Sequence, residues 1–294
     1  MSKSILVTGA SGQLGNSVLK QLYGKHEVLA TDVSNNKSNT LNIPFEVLDI
    51  SDLEQIKSTL VNFNPDVIIN LAAFTDVDAC ELYPAKAYLL NAKSVEMLSN
   101  NFDGQFIQIS TDYVFDGYIG PYSEDDDTNP LSIYGKTKLE AEKILQNSNK
   151  DWCILRTNVL FDYYNSTEAS FVKWVIDSLK SNKPVNVVND QWNNPTWTQS
   201  LAEIIELVIN KNVTGFYNYG GADYLNRFEF ARIIANIFNL DKTLILPIST
   251  ESLNQAAQRP LKGGLKTEKI EQEFDIQCVD LKTSLSMIKS RLTE

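Results

Sequence analysis

The sequence predicts an α/β fold in which a parallel sheet carries helices on both faces, followed by a smaller C-terminal domain. Short apolar runs typical of strands occupy residues 4–8, 26–31, 44–50, 66–73, 105–110 and 152–156. The segments between them repeat apolar side chains at the i, i+3, i+4 spacing of a helix, at residues 14–24, 52–63, 85–102 and 134–146. The strand-like runs are continuous rather than alternating, as in strands buried on both faces. Strands that alternate with helices form right-handed βαβ units, so we expect a doubly wound parallel sheet of the Rossmann type.

The second half of the chain is less regular and predicts the smaller domain. Its helical patterns lie at residues 171–179, 201–209, 227–238 and 281–291, and its strand-like runs at 184–188 and 216–220. We expect residues 1–157 to form the Rossmann domain and residues 158–294 to form mainly the second domain. The chain is expected to re-enter the Rossmann domain around 184–217, with the strand at 184–188 and the helix at 201–209.

Composition excludes several classes of partner. The chain has 26 Lys and Arg against 37 Asp and Glu, a net charge of −11. Binding to nucleic acid or to an anionic membrane needs a basic surface, so neither is expected. No run approaches the roughly 18 apolar residues of a membrane span, and the N-terminus lacks a secretory signal pattern. Three cysteines without a CxxC pair and a single histidine, His26, predict a cytoplasmic protein without a metal centre.

A glycine-rich turn, TGASGQLG at residues 8–15, joins the first predicted strand to the first helix. Gly9 allows the tight turn, Gly12 lets a pyrophosphate approach the backbone, and Gly15 lets the helix pack close to the strand. Asp32 ends the second strand, about 20 residues on, where a carboxylate accepts hydrogen bonds from ribose hydroxyls and repels a 2′-phosphate. Lys37 lies nearby and could soften that discrimination. The pattern predicts a nicotinamide dinucleotide site for NADH or NADPH.

A tyrosine and a lysine four residues apart, Tyr134 and Lys138, share one face of the fourth predicted helix. An ammonium beside a phenol lowers a phenol pKa that is ordinarily about 10, so Tyr134 is a candidate general acid. Ser110 and Thr111 end the fifth strand, at the carboxyl edge where open α/β sheets bind ligands. The glycine turn, the Ser110–Thr111 pair and the Tyr134–Lys138 pair follow one another in this order along the chain. Together they predict reduction of a carbonyl group.

Together these segments resemble the extended short-chain dehydrogenase/reductase family, and within it the dTDP-4-dehydrorhamnose reductases. The resemblance covers nearly the whole chain and rests on TGASGQLG (8–15), NLAAFTDVDACE (70–81), STDYVFDG (110–117), NPLSIYGKTKLEAE (129–142), DQWNNPT (190–196) and RPLKGGL (259–265). It implies NAD(P)H-dependent reduction of the C4 ketone of a nucleotide-diphospho-4-keto-6-deoxysugar, as in dTDP-L-rhamnose synthesis. The second domain would then bind the sugar nucleotide.

The resemblance also assigns residues. Catalysis would fall to Thr111, Tyr134 and Lys138. NADH or NADPH would be bound by Gly9, Gly12, Gln13, Leu14, Gly15, Asp32, Asp49, Ile50, Ala72, Ala73, Tyr134 and Lys138. The nucleotide-sugar substrate would contact Thr75, Val77, Tyr113 and Arg259. Arg259 is a candidate bidentate donor to the diphosphate, with an ordinary salt bridge as the alternative.

Some positions depart from the family pattern. Val159 stands where the rhamnose branch typically carries a tryptophan that contacts the sugar. The sequence therefore does not determine which sugar the substrate carries. Some members hold Mg²⁺ through a carboxylate just after the third glycine, but this chain has Asn16 and Ser17 there, so no metal is expected.

A second reading is a non-catalytic NAD(P)-binding regulatory subunit. Residues 226–248 and the RTNVLF run at 156–161 look similar to the methionine adenosyltransferase β subunit. The intact set of Thr111, Tyr134 and Lys138 favours the enzyme, because a purely regulatory chain has no need of all three. The sequence leaves a homodimer open.

Overall fold

The architecture was obtained from a computed structural model that describes residues 2–34, 41–164 and 170–293. The strands of these residues are β1 Ser4–Thr8, β2 Glu27–Asp32, β3 Phe45–Val47, β4 Val67–Asn70, β5 Gln105–Thr111, β6 Trp152–Thr157, β7 Leu160–Phe161, β8 Val185–Val188, β9 Trp192–Asn193, β10 Thr196–Trp197, β11 Gly215–Asn218, β12 Leu225–Asn226 and β13 Ile245–Ile248. Seven of them form one sheet in the order β11-β6-β5-β4-β1-β2-β3, with every neighbouring pair parallel.

Helices cover both faces of this sheet. The helices of the described residues are α1 Gln13–Leu22, α2 Leu53–Phe63, α3 Val77–Leu82, α4 Pro84–Tyr88, α5 Ser94–Asn100, α6 Ile133–Gln146, α7 Phe171–Lys180, α8 Thr198–Lys211, α9 Arg227–Ile237, α10 Glu268–Phe274 and α11 Leu281–Thr293. Buried side chains of α1 and α8 pack on one face, and those of α2, α5 and α6 pack on the other. The doubly wound parallel sheet is therefore confirmed. Its strand order reverses between β1 and β4, which places a crevice at their carboxyl ends.

The helix predicted over residues 85–102 is interrupted. Helices α4 and α5 are joined by one π-helical turn, Leu89–Lys93. Asn91 in this turn is buried, and its amide accepts from Phe74 N at 2.7 Å and donates to Phe74 O at 3.1 Å. The same amide donates to Thr137 Oγ1 of α6 at 3.1 Å. Through Asn91, the loop after β4 is therefore bonded to the π-helical turn, and that turn is bonded to α6.

The second part of the chain has its own apolar core. Buried side chains from α7, α9 and α11 form this core together with those of β8 and β13. Strand β8 pairs in parallel with β13 and not with the large sheet. The expectation that the strand at 184–188 re-enters the Rossmann domain is therefore wrong, because the position beside β6 is taken by β11. The re-entering elements are α8 and β11, whose apolar side chains join the core of the large sheet.

The assignment of residues 1–157 to cofactor binding and of 158–294 mainly to substrate binding stays a prediction. Within the described ranges, no helix combines the length and the apolar content that crossing a membrane requires. The three cysteines, Cys80, Cys153 and Cys278, are buried free thiols.

Candidate active site

A cleft of about 540 Å³ lies at the carboxyl edge of the sheet, where the strand order reverses. It brings together most of the residues expected to act. The predicted residues that line it are Gly9, Gly12, Gln13, Leu14, Gly15, Asp32, Ile50, Ala72, Ala73, Thr75, Thr111, Tyr134 and Lys138. The volume falls within the roughly 300–1,000 Å³ of small-molecule sites.

The glycine turn is built so that only glycine fits at two of its positions. Gly9 has a φ of +64°, and a Cβ there would lie 2.6 Å from the backbone nitrogen of Ala72. A Cβ on Gly15 would lie 2.4 Å from the carbonyl oxygen of Ala10. The first position brings the loops after β1 and β4 into contact, and the second seats α1 directly against the turn. Both agree with the packing expected of a dinucleotide-binding turn.

The start of α1 suits a pyrophosphate. Gly12 is its N-cap, no side chain caps the helix, and its first turn carries no acidic residue. Backbone N–H groups and the helix dipole at such an end favour an anion. A Cβ on Gly12 would meet only the carbonyl oxygen of Gly9, at 3.2 Å, so the remaining space beside this residue is open.

Asp32 lies beside the same turn. Its carboxylate accepts hydrogen bonds from Ser11 N at 3.0 Å and from Val33 N at 2.8 Å. The hydroxyl of Ser11 is buried and has no hydrogen-bond partner. The carboxylate of Asp32, which lines the cleft, is the acceptor that this corner offers to an adenosine ribose. Lys37, which was expected to modulate the choice of cofactor, lies outside the described residues.

The catalytic candidates are placed by β5 and α6. Thr111 is the last residue of β5, and Ser132 caps α6 by accepting from Gly135 N at 3.2 Å. Tyr134 therefore lies in the first helical turn, and Lys138 follows one turn later on the same face. Lys138 Nζ donates to the main-chain oxygen of Ile109 at 2.6 Å.

The pKa of Tyr134 is shifted in the opposite direction from the one expected from the sequence. Burial raises the pKa of Tyr134 above its ordinary value, while a hydrogen bond with Thr111 lowers it in part. Burial lowers the pKa of Lys138 to about 8, and the carboxylate of Glu142 opposes that shift. The pKa of the phenol is thus raised and not lowered in the protein alone, because burial disfavours the phenolate. Tyr134 is accordingly protonated at neutral pH, as a general acid must be.

The remaining predicted residues lie outside the lining of the cleft. Asp49 accepts from Ser51 N at 2.8 Å, which makes it part of a local turn. Tyr113 packs edge-on against Tyr134, with ring centroids 5.7 Å apart. Val77 begins α3, and Arg259 forms an ion pair with the next residue of that helix. The roles proposed for these four residues stay predictions.

The cleft also contains Leu90 and Asn158, which sequence reasoning did not single out. It contains Ser110 and Val159 too, which the sequence analysis noted without assigning them a contact. Asn158 is buried and donates to Asn194 Oδ1 at 2.8 Å, while its own Oδ1 has no partner. Val159 adopts a φ of +41°, a strained backbone for a β-branched residue. The position of Asn158 directly after β6, at the carboxyl edge of the sheet, is the signal that could have found it.

Asn16 and Ser17, the two residues after the third glycine, form hydrogen bonds within the protein. Asn16 Nδ2 donates to the Gly12 carbonyl at 2.9 Å, and Ser17 Oγ lies 2.7 Å from Thr198 Oγ1. Over residues 2–34, 41–164 and 170–293, no group of three or more His, Cys, Asp or Glu side chains is arranged to hold a metal ion.

A glycine turn at a strand-order reversal, with a threonine, a tyrosine and a lysine at the same edge, defines the class of extended short-chain dehydrogenases/reductases. The chain belongs to the family described as RmlD substrate binding domain, whose model matches residues 3–293. The resemblance noted from the sequence motifs is therefore confirmed.

Relatives of known description extend over nearly the whole chain. The dTDP-4-dehydrorhamnose reductase of Aggregatibacter actinomycetemcomitans is 34% identical, covering 97% of this chain and 98% of its own. The crystal structure of dTDP-4-dehydrorhamnose reductase from Bacillus anthracis, in complex with NADP, has a TM-score of 0.89 and 28% identity over 99% of this chain and 100% of its own. The methionine adenosyltransferase 2 subunit beta of Xenopus tropicalis is 33% identical, covering 91% of this chain and 81% of its own.

Proposed function

We propose that the protein is an NAD(P)H-dependent reductase of the C4 ketone of a nucleotide-diphospho-4-keto-6-deoxysugar, as in dTDP-L-rhamnose synthesis. One observation carries the proposal: Thr111, Tyr134 and Lys138 line the same cleft as the glycine turn. Reductase relatives that match over their full length support the same reaction. NADH or NADPH, when bound, supplies the hydride that reaches C4.

The side chains of the cleft handle the proton. As C4 is reduced, its oxygen becomes an alkoxide, which Tyr134 protonates through its phenol. The hydroxyl of Thr111 hydrogen-bonds the same oxygen and orients it toward the phenol. Lys138 binds the ribose of the cofactor and places its positive charge near the developing anion. The glycine turn and Asp32 hold the adenosine half of the cofactor.

The regulatory reading rests on the methionine adenosyltransferase relatives, which cover less of the chain than the first reductase. A binding subunit has no need of a general acid, a hydroxyl and a buried lysine converging on one cleft, so the enzyme is favoured. Val159 in place of the tryptophan of the rhamnose branch leaves more room beside the sugar. We therefore expect the preferred substrate to be found by a screen of several 4-keto sugars.

We further propose a cytoplasmic homodimer. The exposed apolar residues Leu82, Tyr83, Tyr88 and Leu89 cluster around α3 and α4 and are available to a second copy. Sedimentation of the wild type beside Tyr88→Glu tests this: the variant should sediment as a monomer while the wild type sediments as a dimer. A monomeric wild type would contradict the homodimer.

The function is tested by offering dTDP-, UDP- and GDP-linked 4-keto-6-deoxysugars with NADH or NADPH and following the absorbance of the reduced nicotinamide. We expect oxidation of the cofactor with at least one sugar, and its loss in Tyr134→Phe. Binding of cofactor without reduction of any sugar nucleotide, together with binding to a partner protein, would support the regulatory subunit instead.

A further inference from the structure

Two successive residues near the end of β5 form hydrogen bonds with one face of α6. The main-chain oxygen of Ile109 accepts from Lys138 Nζ at 2.6 Å, and Ser110 Oγ donates to Glu142 Oε1 at 2.5 Å. Thr111 is the last residue of the strand, and its hydroxyl lowers the pKa of Tyr134. Residues 134, 138 and 142 are spaced by four, so they stand in one row on the helix. The proposed function uses the first two members of this row and leaves Glu142 without a role.

Glu142 is fixed more firmly than either neighbour in the row. Its side chain is 1% exposed, and its two oxygens accept from Arg156 Nε at 3.0 Å and Arg156 Nη2 at 2.8 Å. The guanidinium of Arg156 lies over the ring of Phe115, at 5.2 Å from its centroid, and over that of Phe216, at 4.8 Å. A bidentate, stacked and buried arginine holds a carboxylate in one geometry.

We propose that Glu142 is a positioning residue of the reductase: clamped by Arg156 and bonded to Ser110, its carboxylate fixes the face of α6 that carries Tyr134 and Lys138 against the end of β5. The inference rests on the proposed function and goes one step beyond it. The row then works as a unit, because displacement of Glu142 moves the same helix face that carries the general acid.

The charge of the carboxylate matters as well as its position. Burial lowers the pKa of Lys138, and the negative charge of Glu142 raises it. The two effects together give a pKa of about 8. The other charged or titratable groups on the packed elements are Arg156 on β6, Asp112 and Tyr113 after β5, Cys80 and Glu81 on α3, and Lys93 and Glu96 around the π-helical turn.

The direct test is a pH titration of Lys138 by ¹³C NMR of the protein labelled at lysine, with the signal assigned by its absence in Lys138→Arg. An opposite charge within about 4–6 Å shifts a pKa by about 1–3 units, and a more distant one by less. Glu142→Gln should therefore lower the pKa of Lys138 by up to about one unit. The matched control is Glu140→Gln, two residues away on another face of α6, which should leave it unchanged. An unchanged Lys138 titration in a folded Glu142→Gln overturns the proposal.

Measurements of kcat then distinguish the effect of the charge of Glu142 from the effect of its position. In Glu142→Gln the alkaline limb of the kcat profile should move to lower pH by the same amount as the titration. Glu142→Asp keeps the charge but is one methylene too short to reach both Arg156 and Ser110. It should keep the Lys138 pKa and lose about 10- to 100-fold in kcat at constant KM.

Glu142→Gln leaves Arg156 buried without its carboxylate, which can prevent folding. In that event Ser110→Ala and Glu142→Asp decide the matter, since both keep a carboxylate to balance the charge of Arg156. Wild-type kcat in both would overturn the proposal. If the wild type reduces no sugar nucleotide, the proposed function fails, and the NMR titration still decides whether Glu142 controls Lys138.

Discussion

Arg259 and Asp78 form a bidentate ion pair, with Nη1 to Oδ1 at 2.7 Å and Nη2 to Oδ2 at 2.6 Å. The pair joins α3 to the segment before the C-terminal helices, and the guanidinium holds the pKa of Asp78 below its usual range. The salt bridge expected as the alternative for Arg259 is thus present. A diphosphate would have to bind the remaining N–H groups of the same guanidinium, which has five donors.

Replacement of Arg259 by lysine separates the two roles. If Arg259 binds the diphosphate, Arg259→Lys should raise KM for the sugar nucleotide by about 10- to 100-fold with little change in kcat, because a charged hydrogen bond contributes about 1.5–3 kcal/mol. Arg232→Lys is the control, since that guanidinium lies over Phe228 on α9. A lower melting temperature with an unchanged KM would mean that Arg259 serves only the ion pair.

A methyl group at Gly12 should harm binding and spare the fold. Its φ of −70° suits any residue, and its Cβ would contact only one carbonyl oxygen, at 3.2 Å. Gly12→Ala should therefore weaken NADH binding at least about tenfold, since the methyl occupies the space beside the helix start where a pyrophosphate would lie. Quenching or enhancement of nicotinamide fluorescence measures the affinity.

The opposite pattern is expected at Gly24. Its φ is +73° and no atom lies within 4 Å of an added Cβ. Gly24→Ala should lower the free energy of unfolding by about 1 kcal/mol through backbone strain and leave NADH affinity unchanged. If Gly12→Ala and the wild type bind NADH with equal affinity, the pyrophosphate does not bind at the start of α1.

Asp32 should make NADH bind at least as well as NADPH. Its carboxylate is held beside the glycine turn by Ser11 N, where it would face a 2′-phosphate with like charge. Titration of both cofactors measures the ratio, and Asp32→Asn should shift it toward NADPH. A clear preference of the wild type for NADPH would show that Asp32 does not read the ribose.

The first half of the fold follows from local pattern, because its strands are continuous apolar runs and its helices repeat with a period near 3.6. The positions of β1, β4 and β5 were predicted to within a few residues. The interruption at Asn91 was not predicted, since it depends on a loop 17 residues earlier in the chain. The pairing of β8 was wrong for a related reason: an apolar strand has the same pattern whichever sheet receives it.

The site divides in the same way. The glycine turn and the Tyr134–Lys138 spacing are local, and the cleft contains both. The pairing of Asp78 with Arg259 joins residues 181 positions apart, and no local pattern reports such a contact. The pKa of Tyr134 was expected to fall, but burial outweighs any effect of Lys138 in the protein alone. Neighbours in sequence could be predicted, whereas burial and distant partners required the fold.

Lys138 should serve both binding and chemistry. Lys138→Ala removes the ammonium that faces the strand carbonyl of Ile109 and that would bind the ribose. Both kcat and cofactor affinity should fall, unlike the result for a residue that acts only as the acid. A loss of kcat with unchanged NADH affinity would contradict the ribose contact.

The central claim is that Tyr134 gives the proton, and Tyr134→Phe tests it most directly because only a hydroxyl is removed. The measurement is kcat of the variant and the wild type on the best substrate found, with cofactor affinity and melting temperature as controls. General acid catalysis contributes about 10²–10⁴-fold, or roughly 3–5 kcal/mol at 1.36 kcal/mol per decade. We predict a fall of that size in kcat with unchanged NADH affinity and melting temperature. Normal turnover by Tyr134→Phe would contradict the assigned mechanism.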